Sequence, residues 1–315
     1  MLRKAVDAAR VVWPNISGRD GQARGAVDLA AIVSIEILNA VAGLVLISAG
    51  LAVIFGMMRV INLAHGEFLM LGGYAVVIAT SKAGINIWVS MLLVAPLTVG
   101  AIGVLVERVI IRFLYGRMLD TMLATWGLSL FLIGAVTTVF GNTTVGISAP
   151  LGALTIGAYR TSNYTLFLIA LAALLLLGLY LLLRYTKAGL IARGTMQNAE
   201  MAAALGISPT RVYSITFAAG AALSGLAGGV LAPMTGVVPT AGAAYIAKAF
   251  ITVIGGGSAV LTGTASASLL FGSINQLATF ATTPVMGEVA LLGCAILLLR
   301  LMPQGITGRF FRKGL

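Results

Sequence analysis

The sequence is short of charge, cysteine and histidine. Asp, Glu, Lys and Arg make up only 9% of the 315 residues, whereas an ordinary soluble domain has roughly 25%. A water-soluble globule is therefore excluded. The single cysteine, Cys294, rules out an intramolecular disulfide and a cysteine-rich metal site, and its apolar sequence neighbours predict a small buried side chain.

Catalytic and nucleotide-binding motifs are also missing. The sequence has no GxxxxGK[ST] phosphate loop, so it does not hydrolyse ATP by that route. The only histidine, His65, has no Ser or Cys nucleophile in a recognisable setting. Together with Glu67 it supplies at most two metal ligands. We therefore predict no catalytic residue, no metal site and no cofactor bound by this chain.

Hydrophobic residues are what the sequence has in abundance, at 59% of the chain. They fall between residues 32 and 302 in segments that are close to the roughly 20 residues an α-helix needs to cross a bilayer. The runs are continuous rather than alternating, which favours helices over a membrane barrel. The predicted fold is an all-α, polytopic transmembrane bundle of about eight spans, within a range of about seven to nine. Three consecutive glycines at 255–257 predict a break or a tight crossing.

The net charge of +11 indicates orientation rather than nucleic-acid binding, because no basic face with stacking aromatics is visible. Lys and Arg concentrate in residues 1–28, 107–118, 184–211 and 306–315. The positive-inside rule predicts that all four stretches are cytoplasmic. If all four stretches are cytoplasmic, the chain must cross the membrane an even number of times between any two of them. Three hydrophobic segments lie between the first two stretches, so one of them does not fit. We therefore expect the segment near 62–80 to be broken or re-entrant.

The densest polar cluster beside a membrane segment contains Asn62, His65 and Glu67, in the string NLAHGEFLMLGGY. Ionisable groups at membrane depth are costly, so by default they pair or line a water-filled path. On a regular helix, residues two apart point about 200° from each other. Either the chain is irregular here or His65 and Glu67 meet different partners. Two roles stay open, namely support of a broken helix and direct contact with a passing solute.

A second polar interval, about 187–211, is the longest between hydrophobic segments. Helix-forming residues over 196–205 predict a short cytoplasmic helix. Gly206 is well placed to end that helix, and Ser208 and Pro209 to begin the next. The alternative is an ordinary connecting loop.

The strings NLAHGE and EMAAALGI, in this order, closely resemble the permeases of the branched-chain amino acid family of bacterial ABC importers. The resemblance covers about residues 35–305. It implies that the interval 187–211 is the coupling loop, which docks into a groove on an ATPase subunit. The residues implied to form the docking helix, its stop and a flanking contact are Arg193, Glu200, Ala203, Ala204, Gly206 and Ile207.

The same resemblance implies a multi-pass subunit of the bacterial inner membrane, with a transmembrane permease domain over 29–305 between cytoplasmic tails 1–28 and 306–315. Its implied partners are a second homologous permease, two ATP-binding subunits that carry the ATP, and a periplasmic solute-binding protein. The lipid bilayer surrounds it, and no nucleic acid is expected.

The solute stays open between two classes. The family implies branched-chain or related amino acids, whereas the segment 112–130 is similar to the branch that carries urea and short-chain amides. Two other mechanisms are alternatives. An ion-coupled secondary transporter would need intramembrane carboxylates, for which Glu36, Glu67 and Glu288 are the candidates. A passive channel would not need the helix at 196–205.

Overall fold

The computed structural model describes residues 19–156, 159–257 and 259–310, so most of the predicted N-terminal tail and the last five residues lie outside the described residues. The described part is almost entirely helical. Its helices are α1 (Arg19–Met58), α2 (His65–Ser81), α3 (Ile87–Val109), α4 (Met118–Phe140), α5 (Asn163–Tyr185), α6 (Lys187–Gln197), α7 (Ala199–Ala204), α8 (Pro209–Thr235), α9 (Ala241–Gly256), α10 (Val260–Ala281), α11 (Pro284–Leu301) and α12 (Gly305–Phe310).

Two irregular helical turns and a β hairpin complete the chain. A π-helical turn, Ser90–Val94, lies within α3, and a 3₁₀ turn, Ile111–Leu114, follows it. The antiparallel hairpin pairs β1 (Ala153–Ile156) with β2 (Tyr159–Ser162) just before α5. The predicted all-α membrane bundle is confirmed, with this hairpin as a small addition.

Within the described residues, six helices are long and apolar enough to cross a membrane, and seven if the bent pair of α9 and α10 counts as one span. α2 has only 17 residues, which gives about 25 Å against a hydrocarbon core of about 30 Å. These numbers are compatible with the predicted range of spans. The glycine run behaves as predicted, because α9 ends at Gly256 and the axes of α9 and α10 differ by 114°.

The connection between α1 and α2 reverses the chain inside the bundle. Residues 59–64 are not helical, and Arg59 has a φ of 52°. The first residue of α2, His65, contacts the carbonyl of Ile47 in α1. Ile47 lies about 16 Å back along α1 from Met58 at 1.5 Å per residue. Residues 59–64 therefore run back beside α1, and α2 begins at membrane depth, which confirms a broken segment near 62–80.

Contacts show which helix ends lie together. Thr161 in the hairpin donates a 3.0 Å hydrogen bond to Glu36, in the first half of α1. At the other end of α1, Arg59 and Met196 of α6 border one cavity. Tyr74 of α2 stacks on Phe140, the last residue of α4, at the hairpin end. α1 thus runs from the hairpin end to the α6–α7 end, and α2 runs back.

Three consecutive stretches, α1, residues 59–81 and α3, alternate in direction through the bundle, so the start of α1 and residues 107–118 lie at opposite ends of it. The predicted cytoplasmic side of the N-terminal tail stays a prediction, since residues 1–18 lie outside the described residues. The charge pattern predicts that the segment near 62–80 returns to the side at which it enters. In the structure the non-helical residues 59–64 run back beside α1 and α2 continues in the same direction, so residues 59–81 pass from one end of the bundle to the other.

Close backbone contacts hold α2 and α9 against the centre of the bundle. A Cβ added at Gly72 would overlap the backbone of Gly225 in α8, and one added at Gly228 would overlap the backbone of Leu69. Gly66 and Gly242 bring α2 and α9 together in the same way. In lipid the hydrophobic effect does not drive helices together, so the van der Waals packing at close contacts such as these holds them.

Candidate transport and coupling sites

His65 ties together three helices at membrane depth. Its side chain is fully buried, and Nε2 lies 2.8 Å from the Ile47 carbonyl oxygen of α1, to which it donates. On the other side of the ring, Nδ1 is 3.1 Å from the hydroxyl of Ser224 in α8. Both ring nitrogens are therefore engaged by protein groups. This geometry is that of a structural tie, and sequence reasoning missed Ser224 because one serine among many carries no signal.

Asn62 and Glu67 are buried but only partly satisfied. Asn62 Oδ1 accepts a 3.1 Å hydrogen bond from the Ala64 amide and so shapes the turn before α2. Glu67 faces Gly242 at the start of α9, whereas His65 faces α1 and α8, so the two residues do meet different partners. Asn62 Nδ2 and Glu67 Oε2 have no hydrogen-bond partner among the described residues. These two atoms are free to bind water or a solute.

The predicted helix over 196–205 is two helices. α6 ends at Gln197, and Asn198 caps α7 by accepting a 2.9 Å hydrogen bond from the Met201 amide. Asn is favoured at the N-cap because its side-chain oxygen accepts a hydrogen bond from a first-turn backbone amide that has no partner within the helix. The break at Asn198 therefore corrects the single-helix prediction. The predicted helix end at Gly206 is confirmed. Gly206 has a φ of 83°, and its amide donates a hydrogen bond to the Ala203 carbonyl.

The six residues implied to dock on an ATPase lie on or beside α7, except for Arg193 on α6. Glu200, Ala203, Ala204 and Gly206 are exposed, whereas Ile207 and Arg193 are half-buried. The Arg193 Nε donates a 3.4 Å hydrogen bond to the Gly189 carbonyl within its own helix.

Two large apolar side chains also stand out from this segment. Met201 is 60% exposed and Leu205 is 76% exposed. Sequence reasoning missed both, although their places inside the EMAAALGI string could have revealed them. The exposed surface of α7 is therefore mainly apolar, with one carboxylate.

Glu107 forms a buried polar cluster next to this segment. The carboxylate accepts hydrogen bonds of 2.5 Å from the Tyr115 hydroxyl and from Ser214 near the start of α8, and Arg112 lies 3.5 Å away. Burial, and then the contact with Glu107, raise the pKa of Tyr115 well above its ordinary value. The cluster joins α3 to the first turns of α8, directly after α7. Its signal in the sequence was a rare acidic residue at the end of an apolar run.

A cavity of about 360 Å³ opens at the same end of the bundle. Its walls come from the end of α1, the start of α4, the end of α6 and the break between α9 and α10. Most of the lining is apolar, with Arg59 as the charged residue and Gln197 as a polar one. Among the described residues, no three His, Cys, Asp or Glu side chains lie together as a metal site would require.

Comparison with known proteins agrees with the architecture. The sequence profile of the family described as branched-chain amino acid transport system, permease component, matches residues 33–299. The high-affinity branched-chain amino acid transport system permease protein LivH of Salmonella typhimurium is 30% identical in an alignment of 283 positions that covers 84% of this chain and 91% of the relative.

Two further relatives have similar coverage. The permease protein BraD of Pseudomonas aeruginosa is 29% identical over 84% of this chain and 91% of its own. The probable permease protein LivH of Methanocaldococcus jannaschii is 29% identical over 86% of this chain and 90% of its own. No solved structure matches the chain. The chain is a membrane-spanning transport subunit and not an enzyme, and it belongs to the family of permease components of branched-chain amino acid transport systems.

Proposed function

We propose that this chain forms half of the membrane pore of an ATP-driven importer in the bacterial inner membrane. A second homologous permease supplies the other half, two ATP-binding subunits dock at the α6–α7 end, and a periplasmic solute-binding protein delivers the solute. The similarity to relatives named as transport-system permeases over nearly their whole length carries this proposal.

The surface of α7 supports docking of the ATP-binding subunits. Met201 and Leu205 are exposed at the tip of a short segment beside membrane helices, where water would surround them without a partner. Gly206 leaves room next to them, since nothing lies within 4 Å of the position a Cβ would take. Glu200 supplies a charge that can fix the register of a docked partner.

The solute we propose is a branched-chain or related amino acid, because the relatives are named for branched-chain amino acid transport. Urea and short-chain amides form a second candidate class, which the similarity of the segment 112–130 favours. In such importers the binding protein shares in selecting the solute, so uptake by the complete importer is the relevant measurement.

We place the α6–α7 end in the cytoplasm and the hairpin end in the periplasm. Nine of the 15 Lys and Arg residues in the described part of the chain lie at the α6–α7 side, in 107–118, 184–211 and 300–310. The N-terminal residues then lie on the periplasmic side, and the C-terminal residues lie in the cytoplasm. Cys294 is the only cysteine, so Cys294→Ser allows single-cysteine labelling. An impermeant maleimide added to intact cells stripped of the outer membrane should label Asp20→Cys and spare Gly116→Cys.

The test of the importer is purification of the tagged chain in mild detergent, followed by reconstitution of everything that co-purifies, together with the solute-binding protein. We expect a second permease, an ATPase, and uptake of labelled L-leucine that requires ATP. Uptake of urea in place of leucine would select the second solute class. Recovery of the chain alone, with solute flux that needs no ATP, would overturn the proposal in favour of a secondary transporter or a channel.

A further inference from the structure

Lys248 and Glu288 form an ion pair between two helices inside the apolar length of the bundle. The Lys248 Nζ lies 2.6 Å from Glu288 Oε1. Lys248 is in the middle of α9, and Glu288 is in the second turn of α11, within an apolar stretch that runs from Pro284 to Gly308. The two residues belong to neither the α2 cluster nor the α6–α7 segment.

The pair is open on its outer side. The side chain of Lys248 is 31% exposed, and that of Glu288 is 57% exposed. An ammonium group has three hydrogens and a carboxylate has two oxygens, so each group keeps hydrogen-bonding capacity beyond their mutual contact. Hydrocarbon cannot supply the missing partners. This face of α9 and α11 must therefore border water, a solute or another polar surface.

Position along the bundle favours the solute path. α9 begins at the hairpin end, where Val237 just before it pairs with Val145. One turn before Lys248, the hydroxyl of Tyr245 lies 3.2 Å from Thr235 Oγ1. Tyr245 and Lys248 therefore lie about one turn apart on α9, in the half of the helix that begins at the hairpin end. That is the side at which we place delivery of the solute.

The chemistry of the pair matches a zwitterion. An α-amino acid carries a carboxylate, which the Lys248 ammonium can bind, and an ammonium group, which the Glu288 carboxylate can bind. Urea and short-chain amides offer hydrogen bonds without charge, so they gain less from this arrangement. A neutral solute would also have to compete with the existing ion pair without charges of its own.

We propose that Lys248 and Glu288 recognise the charged ends of a zwitterionic amino acid on the periplasmic half of the solute path. This inference rests on the proposed function, because it takes an amino acid as the solute. The pair closes in the empty site and opens to bind the two ends of the solute. The site therefore distinguishes amino acids from uncharged amides within the membrane domain itself.

The test compares ATP-driven L-leucine uptake by the reconstituted importer with wild-type chain and with the double variant Lys248→Met, Glu288→Gln. Exchange of a structural ion pair for uncharged residues of similar size is often neutral. Loss of a recognition pair removes two charge-assisted contacts, so we expect uptake to fall by at least about tenfold. Complex yield should stay as in wild type, which shows that the variant still folds and assembles.

Two controls separate recognition from structure. The exchange Lys248→Glu, Glu288→Lys keeps an ion pair but reverses its direction, so full recovery of leucine uptake would overturn the proposal. Neutralisation of the exposed pair of Arg117 and Asp120 on α4 should leave uptake within about twofold of wild type.

The outcomes for the inference and for the proposed function differ. If the wild-type importer takes up leucine and the variant Lys248→Met, Glu288→Gln takes it up at the same rate, only the inference is overturned. If the wild-type importer takes up urea but not leucine, both the amino acid assignment and the zwitterion site are overturned.

Discussion

Ser224 and His65 lie 159 residues apart in the sequence, yet the serine hydroxyl is 3.1 Å from the histidine Nδ1. The same hydroxyl is 2.9 Å from the Gly220 carbonyl of its own helix, so it links the ring to the backbone of α8. With Nε2 on Ile47, the ring joins α1, α2 and α8. The first residue of α2 is thereby fixed where the chain has just reversed.

His65→Gln should lower the yield of assembled importer more than it alters solute preference. A glutamine side chain can reach one of the two partners but not both, which leaves a buried group unpaired at a cost of about 1–3 kcal/mol. The measurement is the thermal stability of the complex in detergent, alongside competition of leucine uptake by other amino acids. Ser224→Ala, which removes one contact and keeps the ring, should give a smaller loss. A changed solute preference at normal yield would show instead that His65 contacts the solute.

Gly206→Arg should abolish ATP-driven uptake while the chain still inserts into the membrane, because a bulky charge would stand beside the exposed Met201 and Leu205. Arginine also tolerates the φ of 83° poorly. Gly116→Arg is the matched control, since Gly116 has a φ of 78° and nothing within 4 Å of an added Cβ. Co-purification of the ATPase reports docking directly. Normal transport by Gly206→Arg would contradict the assignment of α7 as the docking helix.

Gly228→Ala should prevent assembly of the bundle. The added methyl group would overlap the backbone of Leu69, which cannot move aside as a flexible side chain would. Overpacking of this kind typically costs about 1–3 kcal/mol. Gly178→Ala on α5 adds the same methyl group where nothing lies within 4 Å, and it should behave as wild type. Equal yields of the two variants in detergent would rule out a close crossing of α2 and α8.

Tyr115→Phe should destabilise the complex at neutral pH and matter less at high pH. The pKa of Tyr115 is raised in the folded chain, chiefly by burial. Above about pH 10 the unfolded phenol loses its proton while the folded one keeps it. The unfolded state then binds fewer protons, so stability from this group falls as pH rises. Melting temperatures of wild type and Tyr115→Phe should therefore converge above about pH 10. A constant difference would show that Tyr115 titrates normally.

The sequence was sufficient for the helical bundle, because continuous apolar runs and scarce charge allow few other folds in lipid. It also predicted the stop at Gly206 and the break after Gly256, where the backbone conformation favours glycine. It could not predict that Asn198 divides the segment 187–211. A capping side chain such as Asn198 competes with helix-forming neighbours for the same backbone amides, and the sequence does not show which prevails.

The polar contacts of the site were beyond the sequence for a different reason. Asn62, His65 and Glu67 stood out as rare polar residues, but their neighbours are backbone groups, a glycine and one serine among many, none of which has a sequence signature. The side of the membrane on which the N-terminal tail lies stays a prediction, because it depends on how many times the chain crosses before residue 107. Whether residues 59–81 cross depends on the six non-helical residues at 59–64.

The reversal between α1 and α2 also constrains how the protein is made. When residues 59–81 leave the ribosome, they form a helix too short to hold its place in the bilayer by itself. Two of their glycine contacts and the second partner of His65 belong to α8, which begins at Pro209, and a third glycine contact, between Gly66 and Gly242, belongs to α9. The second crossing therefore reaches its final position only after more than half of the chain has been synthesised, and a nascent chain that ends before α8 holds an unfinished membrane domain.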